Sequence, residues 1–123
     1  AFNNILATSL ANLGRPNGSP DRLAVAVAGD DTEAKRLVGG LVNDAGFDAV
    51  DSGSLADSWR QQASTPVYCC DWNAEETRST LAQAVRGAAE KLRDRLPQYM
   101  ATLPPNASHE DMVRLNRRVN ANA

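Results

Sequence analysis

Few side chains in this 123-residue sequence stand in an order that does chemistry by itself. Asp30 and Asp31 are adjacent carboxylates, a pairing that can share a proton or hold a cation. They also sit directly before a helix-patterned segment, where a carboxylate caps free amides. Cys69 and Cys70 are the only cysteines and are neighbours. A bridge between them closes a small strained ring, so both read as small, partly buried thiols. His109 is the sole histidine, and it lacks companions at metal-ligand spacing. It reads as an exposed residue at a helix start. Trp59, Tyr68 and Trp72 offer faces on which a flat ring could stack, or bulk for a core. Asn3, Asn4, Ser54 and Ser58 are short polar groups near element ends, each most simply a cap or turn. No Ser, His and Asp stand in a readable catalytic order, and Gly29 with Gly39-Gly40 does not make the G-x-G-x-x-G phosphate turn.

The elements that must position these groups follow from composition and periodicity. The chain is 42% hydrophobic and 23% charged, with a formal charge of −2, which describes an ordinary globular domain. Nucleic acid and anionic membranes draw on clustered excess cation, so neither is an expected partner. No run is long and apolar enough to span a bilayer. No secretory leader is legible, and two unbridged thiols fit a reducing compartment, so the expected location is cytoplasmic.

Phe2 to Leu13 has helical spacing at Ile5, Leu6, Leu10 and Leu13, with Asn3 or Asn4 as its expected cap. Residues 15–20 carry two prolines and a glycine and predict a loop. Leu23 to Ala28 is a short apolar run of the kind that forms a strand covered on both faces. Ala34, Leu37, Val38, Leu41, Val42 and Ala45 then form one helical stripe, closed by Gly46. Gly39 and Gly40 weaken that helix by roughly 1 kcal/mol each, and close approach of another backbone is the expected compensation. Residues 47–51 alternate apolar and acidic and predict a second strand. The result is an α/β strand–helix–strand unit, right-handed by precedent. Two parallel strands alone are not expected to cover both faces of their sheet from so short a chain.

Beyond it, Ser52-Gly53-Ser54-Leu55 forms a loop at the C-terminal end of the second strand, where open parallel sheets collect ligands. Residues 55–62 suit a short helix, and 65–71 an extended segment. One long helix is expected over 74–96, opened by an Asn73/Glu76 capping box and ended by Pro97. Residues 98–107 read as linker. Ser108 caps a last helix over 109–119.

Three blocks carry a resemblance. Ala1-Phe2-Asn3-Asn4-Ile5, Val27-Ala28-Gly29-Asp30-Asp31 and Gly46-Phe47-Asp48-Ala49-Val50-Asp51-Ser52-Gly53-Ser54-Leu55 occur in this order and at this spacing. Together they resemble the C-terminal half of the NADP-dependent, deazaflavin-reductase-like oxidoreductases, and also the oxidoreductase domain of the STEAP metalloreductases. The resemblance covers residues 1–72. It implies a remnant of a Rossmann-type parallel sheet, with residues 73–123 as an α-helical extension serving dimerisation or packing.

It also implies a function. The parent moves a hydride between NADPH and a flavin, deazaflavin or other flat acceptor, which needs orientation and exclusion of water rather than an acid–base pair. Asn3 and Asn4 would bond the ring amides on the cofactor side. Ser54, Leu55, Ser58 and Trp59 would line the acceptor side. The Gly-rich phosphate turn of that family is absent, so the chain is expected to be a C-terminal piece lacking the N-terminal dinucleotide-binding segment, and to bind NADP poorly alone. The second reading is a non-catalytic interaction module. There the strand edges of residues 23–51 and the helix over 74–96 would build a symmetric homodimer.

Overall fold

The computed structural model describes residues 1–121. Two strands, β1 (Ala24–Val27) and β2 (Asp48–Asp51), pair in parallel with Ala24 opposite Asp48 and Val27 opposite Asp51. The helix α2 (Thr32–Asp44) crosses between them. The α/β unit therefore has the expected strand–helix–strand form. Before it lies α1 (Ala7–Asn12), and after it a 3-10 helix (Leu55–Gln61), α3 (Ala74–Gln83), α4 (Ala88–Asp94), α5 (Leu96–Met100) and α6 (His109–Asn120). No helix among the described residues is long and apolar enough to cross a membrane.

Alternation along β1 divides the core into two layers. Val25 and Val27 face α2 and pack with Val42 and Phe47, joined by Ile5, Leu23 and Val38. Ala26 faces the other way and packs with Val50, Val67 and Leu81, joined by Ala24, Trp72 and Ala74. The expectation of an uncovered sheet is thus corrected, because α3 lies on the face opposite α2. The Ala24 N–H donates to Trp72 O, and Leu23 bridges Asn73.

Asp31 caps α2 by accepting from the Ala34 N–H at 2.9 Å. Past its end Gly46 has φ 105°, and a Cβ there would stand 2.6 Å from the Gly14 Cα. Only glycine allows both that conformation and the closeness. A third tie is Arg22, 3% exposed. Its guanidinium donates to Arg15 O, to Asn43 O and Oδ1, and to Asp48 at 3.1 Å.

Several expected elements differ. The first helix spans only Ala7–Asn12, and its N-cap is Leu6, without a side-chain bond. Asn3 and Asn4 do not cap it. The long helix over 74–96 is broken. Ala84 is extended at ψ 135° and Gly87 is left-handed at φ 85°, which ends α3 and starts α4 anew. Pro97 lies in the first turn of α5 rather than at a helix end, since a missing N–H costs nothing there. Residues 65–71 form successive turns instead of an extended segment, with Cys69 at φ 55° and Asp71 at φ 52°. The capping boxes at Asn73/Glu76 and at Ser108/Asp111 are both present.

Candidate functional site

The loops that follow β1 and β2 are tied together at the C-terminal end of the sheet. The Gly29 N–H donates to Gly53 O at 3.0 Å, and the Leu55 N–H to Asp30 Oδ1 at 3.0 Å. Asp30 therefore anchors the neighbouring loop, and Asp31 is a cap. Neither serves as half of a carboxylate dyad. Among the described residues no group of His, Cys, Asp and Glu is arranged to hold a metal ion. Asp51 accepts from the Gly53 N–H at 2.8 Å and from Lys35 Nζ at 3.0 Å. The Gly53 bond first, and Lys35 second, hold its carboxyl below the ordinary range.

These ties shape a cavity of about 490 Å³ lined by Asn3, Ala28, Leu55, Ser58, Trp59, Gln61 and Gln62. Four of the expected site residues, Asn3, Leu55, Ser58 and Trp59, meet there. Asn3 Nδ2 donates to Gln61 O at 3.1 Å, which leaves its second N–H for a ligand. Ser58 Oγ donates to Leu55 O at 2.7 Å and keeps its lone pairs. Trp59 holds the guanidinium groups of Arg60 and Arg86 at 4.5 and 5.1 Å from its ring centroid. Its buried Nε1–H has no acceptor among the described residues.

Two expected residues do not join them. Asn4 is buried with its carboxamide on β1: Nδ2 donates to Ala26 O and Oδ1 accepts from the Ala26 N–H, both at 3.2 Å. That role displaces the expected contact with a ring amide. Ser54 turns to Asp57, donating at 3.2 Å, and does not line the cavity. Gln61 was not singled out by sequence, yet it organises the cavity floor. It donates to Ala26 O at 3.3 Å and to Asn3 Oδ1 at 3.4 Å, and accepts from the Ser52 hydroxyl. Nothing in a Gln61-Gln62 doublet separates such a residue from a solvated one.

Ser9, Asp71 and His109 also come together, though a hundred positions separate the first from the last. Ser9 Oγ donates to Asp71 Oδ1 at 2.6 Å, while His109 Nε2 lies 2.8 Å from Asp71 Oδ2 and 3.2 Å from Ser9 Oγ. The carboxylate only accepts, and the serine proton is committed to it. Nε2 must then carry a proton and donate to both. A histidine that donates to serine cannot deprotonate it, and Ser9 is fully buried. The cluster is a clasp between α1, the 69–71 turns and the start of α6. It corrects the expectation of an exposed His109.

The remaining aromatics and thiols are structural as well. Trp72 donates from Nε1 to Pro66 O at 3.0 Å and carries Arg117 over its ring at 4.2 Å. The left-handed turns leave carbonyls that α6 collects. Asn116 donates to Cys69 O, Arg117 to Cys70 O and Asp71 O, and Asn120 to Tyr68 O. Burial pushes the Cys69 thiol up to about 11 and the Cys70 thiol to about 12.

No family model matches the chain, and no solved structure matches it. It is 48% identical over 108 residues to the protein YjhV of Escherichia coli (strain K12), a match that spans 85% of this chain and 77% of that protein. The chain belongs to the YjhV family. The strand–helix–strand unit and the amide-lined cavity described above are thus features of a YjhV-family chain.

Proposed function

We propose that this YjhV-family chain forms the ring-holding part of an NADP-dependent oxidoreductase site, in which a hydride passes between NADPH and a flavin-like or other flat acceptor. The observation that carries the reading is the 490 Å³ cavity where Asn3, Leu55, Ser58 and Trp59 meet at the C-terminal end of parallel strands. Its volume suits a small aromatic ligand, and its position is where α/β sheets bind such ligands.

The lining fits one part of the cofactor pair and not the other. Asn3, Ser58 and Gln62 offer donors and acceptors at the edge of a flat ring, as an imide or carboxamide requires. A pyrophosphate finds no comparable cradle among the described residues. The first turn of α2 already holds the Asp31 carboxylate, with Asp30 and Glu33 beside it, and these repel an anion. A bound NADPH would supply the hydride, and Asn3, Ser58 and Gln62 would hold the edge of the ring that receives it. The chain's own part is to orient the ring through Asn3 and Gln62 and to wall it from water with Leu55 and Trp59. Covering of the sheet by α2 and α3 removes bare faces as a reason to expect further strands.

The test is a nuclear magnetic resonance titration of the ¹⁵N-labelled chain with riboflavin and, separately, with NADPH. Riboflavin is expected to shift the amides of Asn3, Leu55, Ser58 and Gln62 saturably, and NADPH to do so more weakly. Shifts scattered away from these residues, or none, would count against the reading.

A further inference from the structure

We infer that the outward face of α2 is a homodimer contact, in which two copies of α2 cross antiparallel about a two-fold axis at Gly40. This surface is separate from the ring cavity, and its test does not depend on that reading.

The face is unusual for a helix lying on a sheet. Leu37 and Leu41, one turn apart, are 59% and 61% exposed. Between them stands Gly40, where an added Cβ would meet nothing within 4 Å. A glycine in a helix interior costs stability relative to alanine, and nothing among the described residues accounts for it here. Gly39 beside it faces only the Ala49 Cβ at 3.5 Å, an ordinary contact. A helix of a second copy laid across Gly40 would come close because no side chain holds it off, with Leu37 and Leu41 flanking the crossing.

Charge selects a second copy as the occupant. Arg36 and Asp44 lie four residues before and after Gly40, each on its exposed side. A two-fold axis at Gly40 exchanges these levels, so Arg36 of each copy comes level with Asp44 of the other. The Asp44 carboxylate makes no hydrogen bond or ion pair among the described residues, and the Arg36 guanidinium pairs only with Glu33 of its own helix. The pattern is self-complementary, as an isologous interface requires.

Analytical ultracentrifugation of the full chain tests this. Wild type is expected to sediment as a dimer. Asp44→Arg should weaken association at least tenfold, and the double charge exchange Arg36→Asp with Asp44→Arg should restore it. Gly40→Ala should raise thermal stability while weakening association, a split that a simple helix-propensity effect would not produce. All these positions are exposed, so circular dichroism should confirm an unchanged fold. A wild type that stays monomeric at millimolar concentration would overturn the inference. So would a dimer indifferent to these substitutions, or an exchange that fails to rescue.

Discussion

The Asn4 carboxamide takes the place of a neighbouring strand on β1, giving and receiving a hydrogen bond with the backbone of Ala26 at 3.2 Å each. Gln61 also donates to Ala26 O, so loss of Asn4 orphans chiefly the Ala26 N–H. Asn4→Ala is expected to destabilise the chain by about 1–3 kcal/mol, the cost of one buried unsatisfied group. Urea denaturation measures it, and an unchanged midpoint would show that the sheet edge does not need the plug.

Arg22 joins the turn at Arg15, the end of α2 at Asn43 and the start of β2 at Asp48. Arg22→Ala should cost about 1–3 kcal/mol, because the Arg15 and Asn43 carbonyls lose a buried donor while the Asp48 carboxylate, 39% exposed, turns to water. Arg22→Lys should recover little, since one ammonium cannot reproduce a planar fork of donors. Full recovery by lysine would reduce the role to charge alone.

Acid stability should carry the signature of Asp51. The Gly53 N–H and the Lys35 ammonium lower its pKa in the folded chain. Its contribution is then complete above the ordinary carboxylate value of about 4 and fades as pH falls through the lowered one. Asp51→Asn should lose some stability near neutrality and converge with wild type in acid. Parallel curves of denaturation midpoint against pH would contradict this.

Both thiols should be silent in the folded state. Burial raises Cys69 to about 11 and Cys70 to about 12, so almost no thiolate exists at pH 8. A disulfide reagent at pH 8 should label them only after denaturant is added. Labelling within seconds of mixing with native chain would overturn the burial.

What the sequence could show followed the range of the interactions. The periodic stripe of α2, the apolar run of β1 and the boxes at Asn73 and Ser108 rest on local rules and were legible. Asn4, Gln61, Arg22 and the Ser9–Asp71–His109 clasp act on partners between 7 and 100 positions away, where no spacing rule reaches. The break after Gln83 has a local sign in Gly87, although Leu81, Val85, Ala88 and Leu92 keep helical apolar spacing across it. The cavity was half legible. The three blocks pointed to its end of the sheet, but they could not tell that Asn3 faces the cavity while Asn4 faces the strand.

The proposed function stands on the cavity at the C-terminal end of the sheet, with Asn3 at its polar edge. Fluorescence anisotropy of riboflavin, read while the chain is titrated in, measures the contact directly. The expected result is saturable binding by wild type, weakened about tenfold by Asn3→Ala through loss of one hydrogen bond, in a variant whose circular dichroism is unchanged. Equal affinity of the two proteins, or no saturable binding by a folded wild type, would contradict it.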